Sequence, residues 1–266
     1  MEGKVSILNA ILYTVLLVVF WIIIQLILIY PLTFLDQLQD YSIRFFGIIR
    51  IVSVLGSFVL FYFFFWNPKP VFNFSSFLKR KNYSTTTFFL LPVVAIGLFF
   101  TSRPLWDFKL ILDFHNDISL AERPILMIDQ EAMFFEIISV LLVAPIVEEL
   151  FYRKFLLEKL AENYSIIISL IVSSFCFSII HIETPNNLFP AFISGIVLGI
   201  IFLKTRKIAY SITLHFLFNL LILTTNKINV SNDNWFIGYN FDFIYWLLFC
   251  FGILLTIFGT KKVISS

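Results

Sequence analysis

The sequence predicts an all-α protein, a polytopic transmembrane helical bundle of about eight spans. Two observations carry that prediction. The first is composition. Hydrophobic residues fill 59% of the 266 positions and charged residues only 14%, against about 45–50% and about 25% in soluble domains. Mean hydropathy is +0.93, and Phe alone occurs 35 times. A water-soluble domain of this size cannot hide so much apolar surface, because small chains bury a small fraction of it. The solvent is therefore lipid. The second is patterning: the apolar residues fall in runs near the roughly 20 residues that a helix needs to cross a bilayer. The balance of 19 Lys and Arg to 17 Asp and Glu leaves no cationic footprint, so no nucleic-acid partner is expected.

The runs lie near residues 7–30, 45–66, 85–101, 132–152, 165–183, 188–203, 207–225 and 241–260. The first is too long for a secretory signal and lacks a small-residue cleavage site, so it is read as a span. In the fourth, the apolar pattern continues past the charged residues through Phe151, Phe155, Leu156 and Leu160 at helical spacing. One helix from about Ala132 to Leu160 follows, bent at Pro145, which removes a backbone hydrogen bond. The sixth run carries Gly195 and Gly199, a GxxxG pattern suited to close helix packing. Cys176 and Cys250 sit inside apolar runs, which gives no disulfide framework or thiolate metal site. With no internal repeat or low-complexity tail, residues 1–266 read as a single integral-membrane domain, with 130–225 as its motif core.

Orientation follows from the basic residues. With both termini inside, the cytoplasmic segments hold Lys4, Lys69, the Lys79–Lys81 cluster, Arg153, Lys154, Lys159, Lys204, Arg206, Lys207, Lys261 and Lys262. Such a cytoplasmic bias is the expected signature of a multi-pass protein in the cell membrane. Segment 102–131 is acidic, with Asp107, Asp113, Asp117, Glu122, Asp129 and Glu131, and is expected along the outer surface. Its His115 reads as a solvated loop histidine.

Ionisable groups at membrane depth are costly, so each asks for an explanation. Glu148 and Glu149 follow Pro145, with Arg153 four residues after Glu149. That spacing favours an ion pair on one helix face, whereas Glu148 is rotated by about 100° and points elsewhere. His181 stands near the outer end of the fifth run, and His215 and Asn219 are one turn apart in the seventh. At 1.5 Å per residue, Glu148, His181, His215 and Asn219 lie roughly 18, 24, 12 and 18 Å from the inner ends of their helices. Each alone has an ordinary explanation: headgroup contact, a helix cap, or interhelical glue. Their shared intermediate depth points instead to a polar cavity within the bundle.

A carboxylate and an imidazole sharing one water form a competent general base. A second histidine and an asparagine amide can donate to the oxyanion of a tetrahedral intermediate. Glu148, His181 and His215 would also make a three-ligand zinc set. The metal-free account is preferred, because Asn is a poor zinc ligand and suits an oxyanion donor. Neither HExxH nor GxSxG occurs in the chain.

EExxxR at Glu148–Arg153, FxxxH at Phe177–His181 and HxxxN at His215–Asn219 occur in that order across successive runs. The set resembles the CPBP family of intramembrane proteases, also called the ABI or CAAX protease and bacteriocin-processing family, which includes the type II CAAX prenyl endopeptidases. The resemblance covers about residues 130–225. It implies Glu148 as general base acting with His181 on the attacking water, and His215 and Asn219 as oxyanion donors. Glu149 and Arg153 would hold the site together. A peptide or protein substrate is implied, with roles in peptide maturation, bacteriocin self-immunity or CAAX-type processing. Two alternatives stand beside this reading. One is a non-catalytic membrane immunity or partner-binding protein. The other is a transporter using Glu148 and the histidines as a proton relay, which the lack of an internal repeat makes less attractive.

Overall fold

The structure, a computed structural model, describes residues 5–33, 39–66, 83–115, 134–135, 137–231 and 241–266. Every regular element among them is helical. In chain order they are α1 (Ile7–Thr33), α2 (Gln39–Phe61, continued by a π turn at Tyr62–Trp66), α3 (Thr85–Trp106) and α4 (Phe108–His115). Next comes α5, built from consecutive π and α segments Ser139–Val143, Ala144–Glu149, Leu150–Leu157 and Glu158–Ala161. Then follow α6 (Ile166–Ile179), a 3-10 turn at Pro185–Asn187, α7 (Leu188–Thr205), α8 (Ile208–Ser231) and α9 (Phe243–Ser265). A polytopic helical membrane protein is what the composition required.

All eight apolar runs contain helix. Six are long and apolar enough to cross a membrane: Ile7–Pro31, Gly47–Trp66, Thr85–Trp106, Pro185–Thr205, Ile208–Thr225 and Phe243–Ser265. Of the other two, α5 carries the charges of its motif, and α6 is a shorter apolar helix of 14 residues. The outward faces of α1 and α9 carry large apolar side chains, with Leu8 74%, Ile27 64%, Phe243 78% and Leu254 66% exposed. Such surfaces are tolerable only where the surrounding medium is itself apolar. Lys4, Lys69, Lys79, Arg80, Lys81, Asp117, Glu122, Asp129 and Glu131, which entered the orientation argument, lie outside the described residues, as does the side chain of His115.

The chain forms two compact units, Met1–Lys81 with Met127–Cys176, and Asn82–Leu126 with Phe177–Ser266. In the first, α1 and α2 pack together, and aromatic rings make much of the join to α5. Tyr13 of α1 lies 5.7 Å from Phe61 and 5.8 Å from Phe155, and Phe61 meets Phe151 edge-on at 4.8 Å. Edge-to-face contacts of this kind add stability beyond the area they bury. The Asn163 amide donates to the Val5 carbonyl at 3.3 Å, which sets the turn after α5 beside the start of α1.

In the second unit, hydrogen bonds at both ends of α3 define the helix directions. At its start, the Ser84 amide donates to the Tyr210 hydroxyl at 2.8 Å, and Thr87 and Ser266 share a hydroxyl hydrogen bond of 2.6 Å. The start of α8 and the end of α9 therefore sit there. At its end, Trp106 bonds to Asn187 and Tyr245 bonds to Asp107, both at 3.0 Å. The starts of α7 and α9 belong at this opposite end. Between them, α3 and α9 approach closely over glycine: a Cβ on Gly97 would stand 2.6 Å from the Thr256 backbone nitrogen, and one on Gly252 would stand 2.7 Å from Phe100 Cβ. Leu91, Val94, Leu98, Leu198, Ile201, Leu214 and Phe218 fill the core among α3, α7 and α8.

Candidate active site

Helix α5, in the first unit, carries Glu148, Glu149 and Arg153. Pro145 does not end the helix. The turn before it is π, with the Ala144 N–H donating to the Ser139 carbonyl five residues back. A widened turn gives the ladder room where the proline has no N–H to offer. A second π stretch, Leu150–Leu157, follows the two glutamates. Short π insertions of this kind are frequent at functional sites.

Within this helix the Glu149 and Arg153 side chains are paired as their spacing led us to expect, with Nε 3.2 Å from Oε2 and side-chain exposures of 0% and 1%. Both charges are thus removed from solvent together, which is the condition for keeping either one there. Glu148 is half-buried. Phe151, Tyr152, Phe155 and Leu156 of the same helix are buried as well. The Ser173 hydroxyl of α6 donates to the Tyr152 carbonyl at 2.8 Å, so α6 is stitched to α5 one residue before Arg153. Cys176 is buried and Cys250 exposed, both as free thiols.

The second unit holds the histidines and the asparagine. Helix α6 stops at Ile179, so His181 stands in the turn beyond its end. Its backbone N–H donates to the Ser178 carbonyl at 2.9 Å, and its ring Nδ1 lies 3.1 Å from the Phe177 carbonyl. His215, 4% exposed, and the half-buried Asn219 lie one turn apart on α8. Phe177 joins the two imidazoles. Its ring is 5.3 Å from that of His181 and 5.6 Å from that of His215, edge-on to both. The aromatic position of FxxxH is therefore a packing wedge between the histidines. The Ser178 hydroxyl, donating to the Leu188 carbonyl at 2.6 Å, closes the loop in which His181 sits.

Some polar features escaped the sequence reading. Asp107, expected on an outer surface, is buried instead. Its Oδ2 lies 3.0 Å from Arg103 Nη2 and accepts from the Tyr245 hydroxyl at 3.0 Å. The Arg103 and Asp107 spacing of four was the available signal, but nothing local pointed to Tyr245, 138 residues on. Trp106, at the end of α3, was likewise not singled out.

Among the described residues, no group of three or more His, Cys, Asp or Glu side chains is gathered so as to hold a metal ion. The zinc-ligand reading of Glu148, His181 and His215 gains no support from the described residues.

Residues 130–221, about a third of the chain, match the family described as Rce1-like: Type II CAAX prenyl endopeptidase Rce1-like. The matched stretch spans Glu148 to Asn219 and nearly coincides with the motif core expected at 130–225. It supports a CAAX/CPBP-family intramembrane protease, as the three motifs implied. Comparison with curated proteins and with solved structures finds no match.

Proposed function

We propose that this multi-pass membrane chain with its Rce1-like core is an intramembrane endopeptidase that hydrolyses a peptide bond with a water activated by Glu148 and His181. The observation carrying the proposal is the family match over residues 130–221, which encloses Glu148, His181, His215 and Asn219. The burial of His215 and the packing of both imidazoles against Phe177 are consistent with it.

In this scheme Glu148 takes a proton from the water while His181 orients it, and the oxygen attacks the carbonyl carbon. His215 and Asn219 donate to the oxyanion that forms. Collapse of the intermediate breaks the carbon–nitrogen bond as Glu148 returns the proton to the leaving amine. No metal enters. Glu149 and Arg153 hold α5 in place and take no part in proton transfer. The substrate is a peptide or protein, in peptide maturation, bacteriocin self-immunity or CAAX-type processing.

Both termini are proposed to be cytoplasmic. Lys207, Lys262 and the end of α9 gather at the start of α3, which suits a cytoplasmic placement of that end under the positive-inside bias.

The test is comparative peptidomics of cells carrying wild type or Glu148→Gln at equal membrane abundance. Loss of specific cleavage products in the variant is expected and would identify the substrates. An identical peptidome with an intact phenotype would overturn the proposal in favour of a non-catalytic partner-binding protein. Undiminished turnover of the purified enzyme after chelation supports the metal-free scheme, and loss restored by zinc refutes it.

A further inference from the structure

Trp106, the last residue of α3, belongs to none of the three motifs, yet it touches the surroundings of two of them. Its indole Nε1 donates to Asn187 Oδ1 at 3.0 Å. Its ring stacks on Phe218 with centroids 5.9 Å apart and planes inclined by 20°. Phe218 is buried and immediately precedes Asn219, three residues after His215. Asn187 ends the turn in which His181 sits.

Backbone hydrogen bonds carry that contact through the turn. The Asn187 N–H donates to the Thr184 carbonyl at 2.8 Å, and the Thr184 N–H donates to the His181 carbonyl at 2.9 Å. A continuous set of bonds therefore runs from the Trp106 indole to the main chain of His181. The base of Trp106 is itself fixed, because Asp107 is held by Arg103 and Tyr245, and Phe99 packs against the indole at 6.1 Å. Tryptophan suits the position because one side chain offers a broad flat face and an N–H donor at its edge. Phenylalanine supplies only the face.

We propose that Trp106 is a positioning residue, clasping the turn that carries His181 to the helix that carries His215 and Asn219. The kinetic part rests on the endopeptidase reading above; the clasp itself does not. A turn outside regular structure has few bonds of its own, so its geometry depends on the groups that tie it down. A small misplacement of reacting groups slows the reaction far more than the strength of one hydrogen bond would suggest.

The test uses the full chain in lipid nanodiscs. Trp106→Phe keeps the stacking face and removes the donor; Asn187→Leu removes the acceptor; Asn187→Asp keeps an oxygen in its place. Amides of residues 181–187, Pro185 excepted, are expected to exchange about 3- to 10-fold faster in Trp106→Phe and Asn187→Leu. Those in the middle of α7 should not change. On a cleaved peptide, both variants are expected to lose roughly 10-fold or more in kcat, with KM within about twofold of wild type. Asn187→Asp should stay near wild type, and the double variant should be no slower than the slower single one.

Unchanged exchange of the turn in Trp106→Phe overturns the clasp. Faster exchange with unchanged kcat overturns its positioning role, and equal losses in Asn187→Asp and Asn187→Leu reduce it to general structural support. Glu148→Gln serves as the control that separates the two readings. Full turnover in that variant refutes the endopeptidase scheme and with it the kinetic role of Trp106, whereas the exchange measurement still decides whether the clasp exists.

Discussion

Arg153 Nε lies 3.2 Å from Glu149 Oε2 within one helix, and neither side chain has more than 1% of its surface exposed. A guanidinium and a carboxylate buried together hold each other's charge; removing one leaves the other in an apolar place. Arg153→Met is therefore expected to destabilise the protein by about 3–5 kcal/mol. The double variant Glu149→Leu/Arg153→Met should recover much of that, because buried pairs can be exchanged for apolar groups at little cost. Thermal unfolding in detergent reads both. A single variant as stable as wild type would mean that the pair contributes nothing to the fold of α5.

Helix contact at glycine gives a second prediction. A Cβ at Gly97 would collide with the Thr256 backbone at 2.6 Å, and one at Gly252 would meet Phe100 Cβ and the Thr101 nitrogen at 2.7 and 2.8 Å. Backbone cannot step aside, so Gly97→Ala and Gly252→Ala should force α3 and α9 apart and cost about 1–3 kcal/mol each. Gly56 is the control. A Cβ there meets only Ile24, at 2.9 Å from Cδ1, the far end of a flexible side chain. Gly56→Ala should fall within about 0.5 kcal/mol of wild type. Equal effects at all three positions would refute the close-packing account.

The membrane class was legible because composition names the solvent directly, and the eight apolar runs all contain helix. The Glu149–Arg153 pair was legible because a spacing of four is a local property of a helix. Three features were not. The π turn before Pro145 reflects how the chain accommodates a missing donor, where the sequence led us to expect a bend. His181 lies beyond the end of α6 because the helix gives way to a turn before Pro185, shorter than its apolar run. The bonds from Asp107 to Tyr245 and from Trp106 to Asn187 join positions 138 and 81 residues apart, and no periodicity reports such a distance.

The Tyr245–Asp107 bond carries a third prediction. Its acceptor is the carboxylate that also holds Arg103, so the hydroxyl donates to a charge, the stronger class of hydrogen bond. Tyr245→Phe removes the donor and keeps the ring, including its edge contact with Phe241 at 5.1 Å. A loss of about 1.5–3 kcal/mol is expected. Asp107→Asn, which retains an acceptor but weakens the tie to Arg103, should also destabilise. Unfolding of purified variants compared with wild type would show it, and a neutral Tyr245→Phe would remove this anchor from the account of how α3 and α9 are joined.

The last prediction separates the two proposed jobs within the site. If Glu148 moves the proton, no other group replaces it, and Glu148→Gln should abolish turnover. An oxyanion donor shares its work with others, so Asn219→Ala should retain activity, lowered by about 100- to 1000-fold in kcat. Asn219 is only half-buried, so its truncation should leave the unfolding temperature near that of wild type. Groups that act on one transition state are not additive, so Glu148→Gln/Asn219→Ala should be no slower than Glu148→Gln alone. Single-turnover rates on a cleaved peptide decide the matter. Wild-type kcat in Asn219→Ala would strip that residue of its role, and complete inactivity with an intact fold would move it from assisting the oxyanion to handling the water itself.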